Sequence, residues 1–205
     1  LFKNELDIPH LIYSESWNHL QIMNLNSRQI LTASKSLIEE NAEERHLEFS
    51  KKNNEDNNLP WPRPYDYFFG ELKMSPNNEN FLSSGWVWGS YDAYNVYEVK
   101  HFIENNRIAD TSLSGWEHNN RAANWIDDET IAVAYNPLEE DDENATNDSP
   151  QEIHFYRIKD NKSKIEKKIQ IKGLDIVNSR MHFNKELNSI FLIFNKQGIA
   201  IISLE

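Results

Sequence analysis

Four short runs in this chain share one pattern, two apolar residues, any residue, then a third apolar one. They are IMNL at 22–25, VYEV at 96–99, FYRI at 155–158 and IISL at 201–204. Each follows another apolar run across a polar turn: HLIYSES, NFLSSGWVW, TIAVAYN and SIFLIFN. The runs are short, rich in β-branched and aromatic residues, and bounded by turn formers, which marks them as strands. From Leu25 to Val99, Val99 to Ile158 and Ile158 to Leu204 the spacing is 74, 59 and 46 residues. A recurring hairpin with unequal intervals means one structural unit repeated with insertions.

Further strands complete the units. RQILTA at 28–33 and IEKKIQI at 165–171 follow the first and third hairpins. GELKMSP at 70–76, RAANWID at 121–127 and SRMHFN at 179–184 precede the later ones. Between these leading strands and their hairpins lie SPNNENF, IDDETI and FNKELNSI, whose Asn and Asp residues tolerate left-handed backbone and favour tight turns. A four-stranded meander with a period of about 40 to 50 residues is the signature of a β-propeller blade. The competing architecture is a β-sandwich, whose strands alternate apolar and polar with one face to solvent. SIFLIF and TIAVAY are apolar on both faces instead, which favours strands held between neighbouring blades.

The expected fold is therefore all-β: a single propeller domain over 1–205, with blades near 1–34, 66–112, 121–172 and 178–205 and insertions at 35–64 and 138–150. Four blades are the most the chain supplies, and the first and last read as incomplete, so a fragment of a larger ring is expected. Helical periodicity is scarce, and one short helix is expected within 36–49.

Composition narrows the function classes. The 205 residues carry a net charge of −12, with 21 Lys plus Arg against 33 Asp plus Glu, and no basic stripe interrupts the acidic balance. Phosphate binding needs such a stripe, so a nucleic-acid partner is not expected. No apolar run approaches the roughly 18 residues of a membrane span, so no membrane partner is expected either. The chain has no cysteine, which excludes disulfides and thiolate metal sites and suits the cytoplasm. It opens at Leu1 without a methionine, which reads as a processed product or a fragment, so a lost signal peptide stays open.

The stretch DYFFGELKMSPNNENFLSSGWVWGSYDAYNVYEV resembles a block in a group of uncharacterised bacterial WD40-like propeller proteins. The residues that carry the resemblance are Tyr67, Phe68, Ser75, Pro76, Leu82, Ser84, Gly85, Trp86, Val87, Trp88, Tyr91 and Asp92. WNHLQIMNLNSRQILTA and WIDDETIAVAY are similar to an earlier hairpin and a later blade of that group. The chain departs from ordinary WD40 repeats, because Met23-Asn24, Tyr97-Glu98, Tyr156-Arg157 and Ile202-Ser203 stand where Trp-Asp would. The resemblance implies a propeller fold and carries no activity with it.

Several constellations could form a site. Residues 59–68, LPWPRPYDYF, hold three prolines that stiffen the loop and could display Trp61, Arg63 and Tyr65 on one face. Trp86 and Trp88 share a side of their strand with Leu82 and Ser84 and are expected to pack between blades, with Trp88 and Tyr91 nearest the surface at the turn. GWEHNNRAANW groups Trp116, Glu117, His118 and Arg121 before a leading strand, where propeller loops open on a central channel. The acidic run at 139–148 could bind Ca²⁺ through oxygen ligands but lacks EF-hand spacing. No His pair has zincin spacing and no Gly-rich phosphate loop or nucleophile elbow occurs, so no cofactor, metal or catalytic set is expected. The leading expectation is a non-enzymatic scaffold for protein partners. The alternatives are a propeller that binds a carbohydrate or small ligand through Trp61, Arg63, Tyr65, Trp88, Tyr91, Trp116 and His118, and a propeller hydrolase with converging acid–base groups.

Overall fold

The computed structural model describes residues 1–16, 19–32, 67–87, 91–105, 109–113, 121–137, 150–196 and 198–205. The fold is all-β, built from four antiparallel sheets in chain order. The first contains β1 (Phe2–Lys3), β2 (Pro9–Ser16), β3 (His19–Asn24) and β4 (Gln29–Ile30). The second contains β5 (Tyr67–Met74), β6 (Asn80–Val87), β7 (Tyr91–Glu98) and β8 (Thr111–Ser112). The third contains β9 (Ala123–Trp125), β10 (Thr130–Tyr135), β11 (Gln151–Lys159) and β12 (Lys162–Ile171). The fourth has three strands, β13 (Arg180–Asn184), β14 (Ser189–Phe194) and β15 (Gly198–Ser203).

Local chemistry closes the hairpins. β11 and β12 are joined by Asp160 and Asn161, both at positive φ, as a two-residue turn matched to strand twist requires. Asn78 and Asn188 take the same left-handed conformation in the turns after β5 and β13. Within the sheets, alternate side chains of each central strand go to different cores. Ile131 and Val133 of β10 pack with Leu82, Tyr94 and Val96 of the second sheet. Ala132 and Ala134 of the same strand pack with Met181, Ile190 and Leu192 of the fourth. Phe81 and Tyr97 face the first sheet and meet Phe2, Leu20 and Ile22. Each sheet thus packs on the next in sequence.

A bulge refines this two-sided packing on β12. Tyr156 pairs with Ile165 and Phe155 with Lys167, so Glu166 is the extra residue. The slip turns Ile165 toward the core shared with the second sheet, while Ile169 and Ile171 turn toward the fourth. Without it the three isoleucines, all at odd positions, would share one face. Four lysines on this edge strand, Lys162, Lys164, Lys167 and Lys168, discourage pairing with a further chain.

Hydrogen bonds tie the leading strands together. Trp125 Nε1 donates to the Lys73 carbonyl at 2.9 Å, Lys73 Nζ to the Ala123 carbonyl at 2.6 Å, and Asn124 Nδ2 to the Met181 carbonyl at 3.0 Å. β9 is therefore bracketed by β5 and β13. On the outer side Ser163 Oγ donates to the Ser112 carbonyl at 2.9 Å, joining β12 to β8.

Two expectations need correction. The first unit, expected to be incomplete, has four strands: its leading strand β1 pairs Phe2 with His10 and Lys3 with Pro9. A two-residue strand is too short to show periodicity, so it left no signal. The run ending at Val99 is not strand throughout, because β7 stops at Glu98 and the one helix among the described residues, α1 (Val99–Asn105), begins there. Val99, Phe102 and Ile103 lie on one helical face against the first core, with Phe102 buried edge-on to Phe81 and Tyr97. The helix expected within 36–49 lies outside the described residues.

Asp110 anchors α1. Its carboxylate accepts from the Glu98 amide at 2.6 Å and lies 2.5 Å from His101 Nδ1. The hydrogen bond to Asp110, aided by its charge, raises the His101 pKa above its ordinary 6.5. The protonated imidazole is favoured in the folded state, so its contribution is complete below pH 6.5 and fades as pH rises through the raised folded value. Urea unfolding of wild type and His101→Gln should accordingly differ most near pH 5.5 and converge toward pH 8.5.

Candidate functional site

The local sequence YFFG makes the second sheet irregular where it matters. Phe68 pairs with Trp86, yet the next pair is Glu71 with Ser84, so Phe69 and Gly70 bulge opposite Gly85. The two backbones touch there: a Cβ on Gly70 would stand 1.9 Å from the Ser84 carbonyl oxygen. Gly85 is required by the same crowding, since its Cβ would lie 2.4 Å from the Tyr67 hydroxyl. Tyr67 is buried across β6, and its hydroxyl lies 2.8 Å from Ser83 Oγ and 3.0 Å from the carbonyls of Ser83 and Ala93. Burial raises its pKa far above the ordinary phenol value. Beyond this crossing Phe68 stacks on Trp86 with centroids 3.7 Å apart and planes 11° from parallel. Trp86 remains 36% exposed, contrary to the expectation that it is packed away between blades.

A second buried feature supports the same region. Asp92 on β7 and Arg121 before β9 form a two-pronged ion pair, Nε to Oδ2 at 2.6 Å and Nη2 to Oδ1 at 3.1 Å. Both side chains are 1% exposed. The guanidinium carbon also lies 5.0 Å from the Tyr94 ring centroid, and the Tyr94 hydroxyl donates to the Arg121 carbonyl at 2.5 Å. Burial, reinforced by the charge of Asp92, pushes the Tyr94 phenol pKa up. The planar fork of Arg matches a carboxylate in a way that Lys cannot.

Between β5, β6, the segment before β9 and the start of β13 lies a cavity of about 350 Å³. Lys73, Trp86, Arg121, Arg180 and Met181 contribute to its walls. Lys73 is fixed by Glu71 at 3.0 Å as well as by the Ala123 carbonyl. A larger cleft of about 820 Å³ lies by the turns around Asp7 and Asn77 and beside α1. Asp7, Glu79, Glu98 and Asp110 crowd its walls, and it lacks an aromatic platform comparable to Trp86.

Of the residues expected to form a site, Tyr91 is described. It opens β7, is half-buried and pairs with Val87, one position before Asp92. Trp61, Arg63, Tyr65, Trp88, Trp116 and His118 lie outside the described residues, as does the acidic run at 139–148. The candidate cavity is instead lined by Lys73 and Arg180, which the pattern did not single out, and by Trp86, which was expected to be packed between blades. Arg121 had been grouped with Trp116 and His118, but its partner Asp92 is 29 residues earlier in the chain, a pairing that local sequence does not signal.

A His–carboxylate pair does occur elsewhere. His154 Nε2 lies 2.7 Å from Glu152 Oε2, and the imidazole stacks on Tyr135 with centroids 4.4 Å apart. Burial lowers the His154 pKa, which keeps the ring neutral and donating, and that hydrogen bond lowers the pKa of Glu152. His154 is 4% exposed, so the pair is a packed hydrogen bond and not a base open to substrate. Among the described residues no group of three or more His, Asp or Glu side chains is placed to hold a metal ion. Nor is any helix among them long and apolar enough to cross a membrane.

No protein-family model matches the chain, and no curated protein matches it.

Breaking the buried ion pair from one side should be expensive. Asp92→Asn keeps the shape but strands the Arg121 charge, and urea unfolding should show a loss of roughly 3 kcal/mol. The double variant Asp92→Leu/Arg121→Met, which removes both charges, should be more stable than Asp92→Asn.

Proposed function

We propose that this chain builds β-propeller blades of the WD40-like kind and acts as a non-catalytic scaffold for protein partners. Four consecutive meanders, each packed on the next, with the leading strands of the last three linked by hydrogen bonds, support the propeller reading.

One surface carries the scaffold reading. In β14 and β15 the pairs Phe191–Ile201 and Ile193–Ile199 put four apolar side chains on one side of the fourth sheet. The opposite side, with Ile190, Leu192, Ala200 and Ile202, packs on the third sheet. Ile193, Ile199 and Ile201 are 42%, 64% and 62% exposed. The side they form corresponds to the one through which the third sheet covers itself with the fourth, where Ala132 and Ala134 are buried. A contiguous apolar patch of this kind marks an interaction surface. Its fit is to a protein that presents another apolar sheet face, because it continues an existing series of sheet-on-sheet interfaces.

A photo-crosslinking amino acid at position 201, expressed in cells, tests this. A discrete protein adduct is expected there, absent when the crosslinker stands at exposed Glu166 on β12 and absent from an Ile193→Lys/Ile199→Lys background. Equal labelling at 166 and 201, or none at 201, would overturn the scaffold reading.

A second reading, binding of a carbohydrate or small ligand, is favoured by one observation. Trp86 stands exposed at the wall of a cavity that also presents cationic side chains.

A further inference from the structure

We infer that the cleft between the turn after β1, the turn after β5 and α1 docks a basic peptide segment with an aliphatic side chain between its cations. This surface is separate from the apolar side of the fourth sheet, so the inference goes beyond the scaffold reading and is tested apart from it. Size comes first. At about 820 Å³ the cleft is near the top of the range of small-molecule sites, roughly 300 to 1,000 Å³, and has room for several side chains at once.

Part of the wall is aliphatic. Leu6, Val99, Ile103 and Ile158 line the cleft and come from the first three units of the chain. Leu6 is 77% exposed, and the other three are half-buried. The turn that carries Leu6 is fixed: Asn4 Oδ1 accepts from the amides of Leu6 at 3.1 Å and Ile8 at 3.0 Å, and Asp7 takes a φ of 59°. An incoming side chain therefore meets a ledge already in place, which lowers the ordering cost of binding.

The charge at the wall is unbalanced. Five carboxylates, those of Glu5, Asp7, Glu79, Glu98 and Asp110, share it with two lysines, Lys3 and Lys100. Lys3 is engaged by Asp7 at 2.7 Å, and Asp110 holds His101. Among the described residues Glu5 and Glu98 have no ion pair, and Glu79 accepts only from the neutral Asn77 amide. Carboxylates alone would mark a solvated surface. Set among aliphatic side chains, they fit Lys or Arg, whose stem packs on apolar surface while the charge reaches a carboxylate. A polyamine shares that character, but Asn78, Asn80 and Asn161 line the same cleft with side chains that make no hydrogen bond among the described residues. A carboxamide offers both a donor and an acceptor, which a peptide backbone uses and a polyamine does not.

Calorimetric titration of the whole chain with the acetylated, amidated pentapeptides GKLKG, GKGKG and GELEG, and with spermidine, tests the assignment. GKLKG should bind roughly tenfold or more tightly than each of the other three. Its affinity should fall as salt rises, because Glu5 and Glu98 are exposed. The double variant Glu5→Gln/Glu98→Gln should weaken GKLKG roughly tenfold and leave the urea midpoint unchanged. Leu6→Ser should lower GKLKG to the level of GKGKG, again without loss of stability. Spermidine binding as tightly as GKLKG would overturn the peptide assignment in favour of a polyamine site. Equal binding of GKGKG would reduce the cleft to a purely ionic surface, and equal binding of GELEG would remove the basic class. Absence of heat with all four probes at millimolar concentration would overturn the inference altogether, while crosslinking at position 201 would still report on the fourth sheet.

Discussion

Strands that are apolar on both faces set the terms for this protein. Ile131, Ala132, Val133 and Ala134 follow one another on β10, and all four are buried. Consecutive strand residues point to opposite sides, so a sheet built from such a strand must be covered twice. Fully burying a residue such as Ile131 contributes roughly 2 kcal/mol, which is lost if either neighbouring sheet withdraws. That requirement orders the sheets, puts one core between each consecutive pair, and leaves the fourth sheet with an apolar side that others of its kind hide.

Close approach of backbones shapes the candidate site within that order. Gly70 and Gly85 are the positions where β5 crosses β6 too tightly for any Cβ, and Tyr67 passes through the space that Gly85 leaves. The bulge that results keeps Phe68 flat on Trp86 at the start of β5. The Asp92–Arg121 pair fixes the segment before β9 at the same level. Its two charges are removed from water, which costs several kcal/mol per ion, and they are held by one another and by the Tyr94 ring. Rigid support of this kind makes a cavity that keeps its shape without a ligand.

Much of the strand pattern was legible from residue order. TIAVAY and SIFLIF announced two-sided burial, and Asn-rich turns marked where hairpins close. Short elements escaped for a definite reason. β1 is two residues long and depends on pairing with β2, and α1 is seven residues whose three apolar positions make one contact face. The candidate site was less legible, because Asp92 and Arg121, or Trp86 and Arg180, are brought together by sheets packing on each other and not by neighbouring positions in the chain.

By itself the sequence determined the all-β class, the order of the hairpins, the turns closed by Asn and Asp, and the acidic, cysteine-free surface. These follow from local rules, the period-two alternation of side chains and the backbone freedom of particular residues. Tertiary structure decided which apolar faces meet, which cations keep a partner, and that Trp86 is 36% exposed where its strand pattern suggested burial. Those outcomes depend on the register between strands and on the stacking of separate sheets, and a one-residue slip in either would exchange the hidden face for the exposed one.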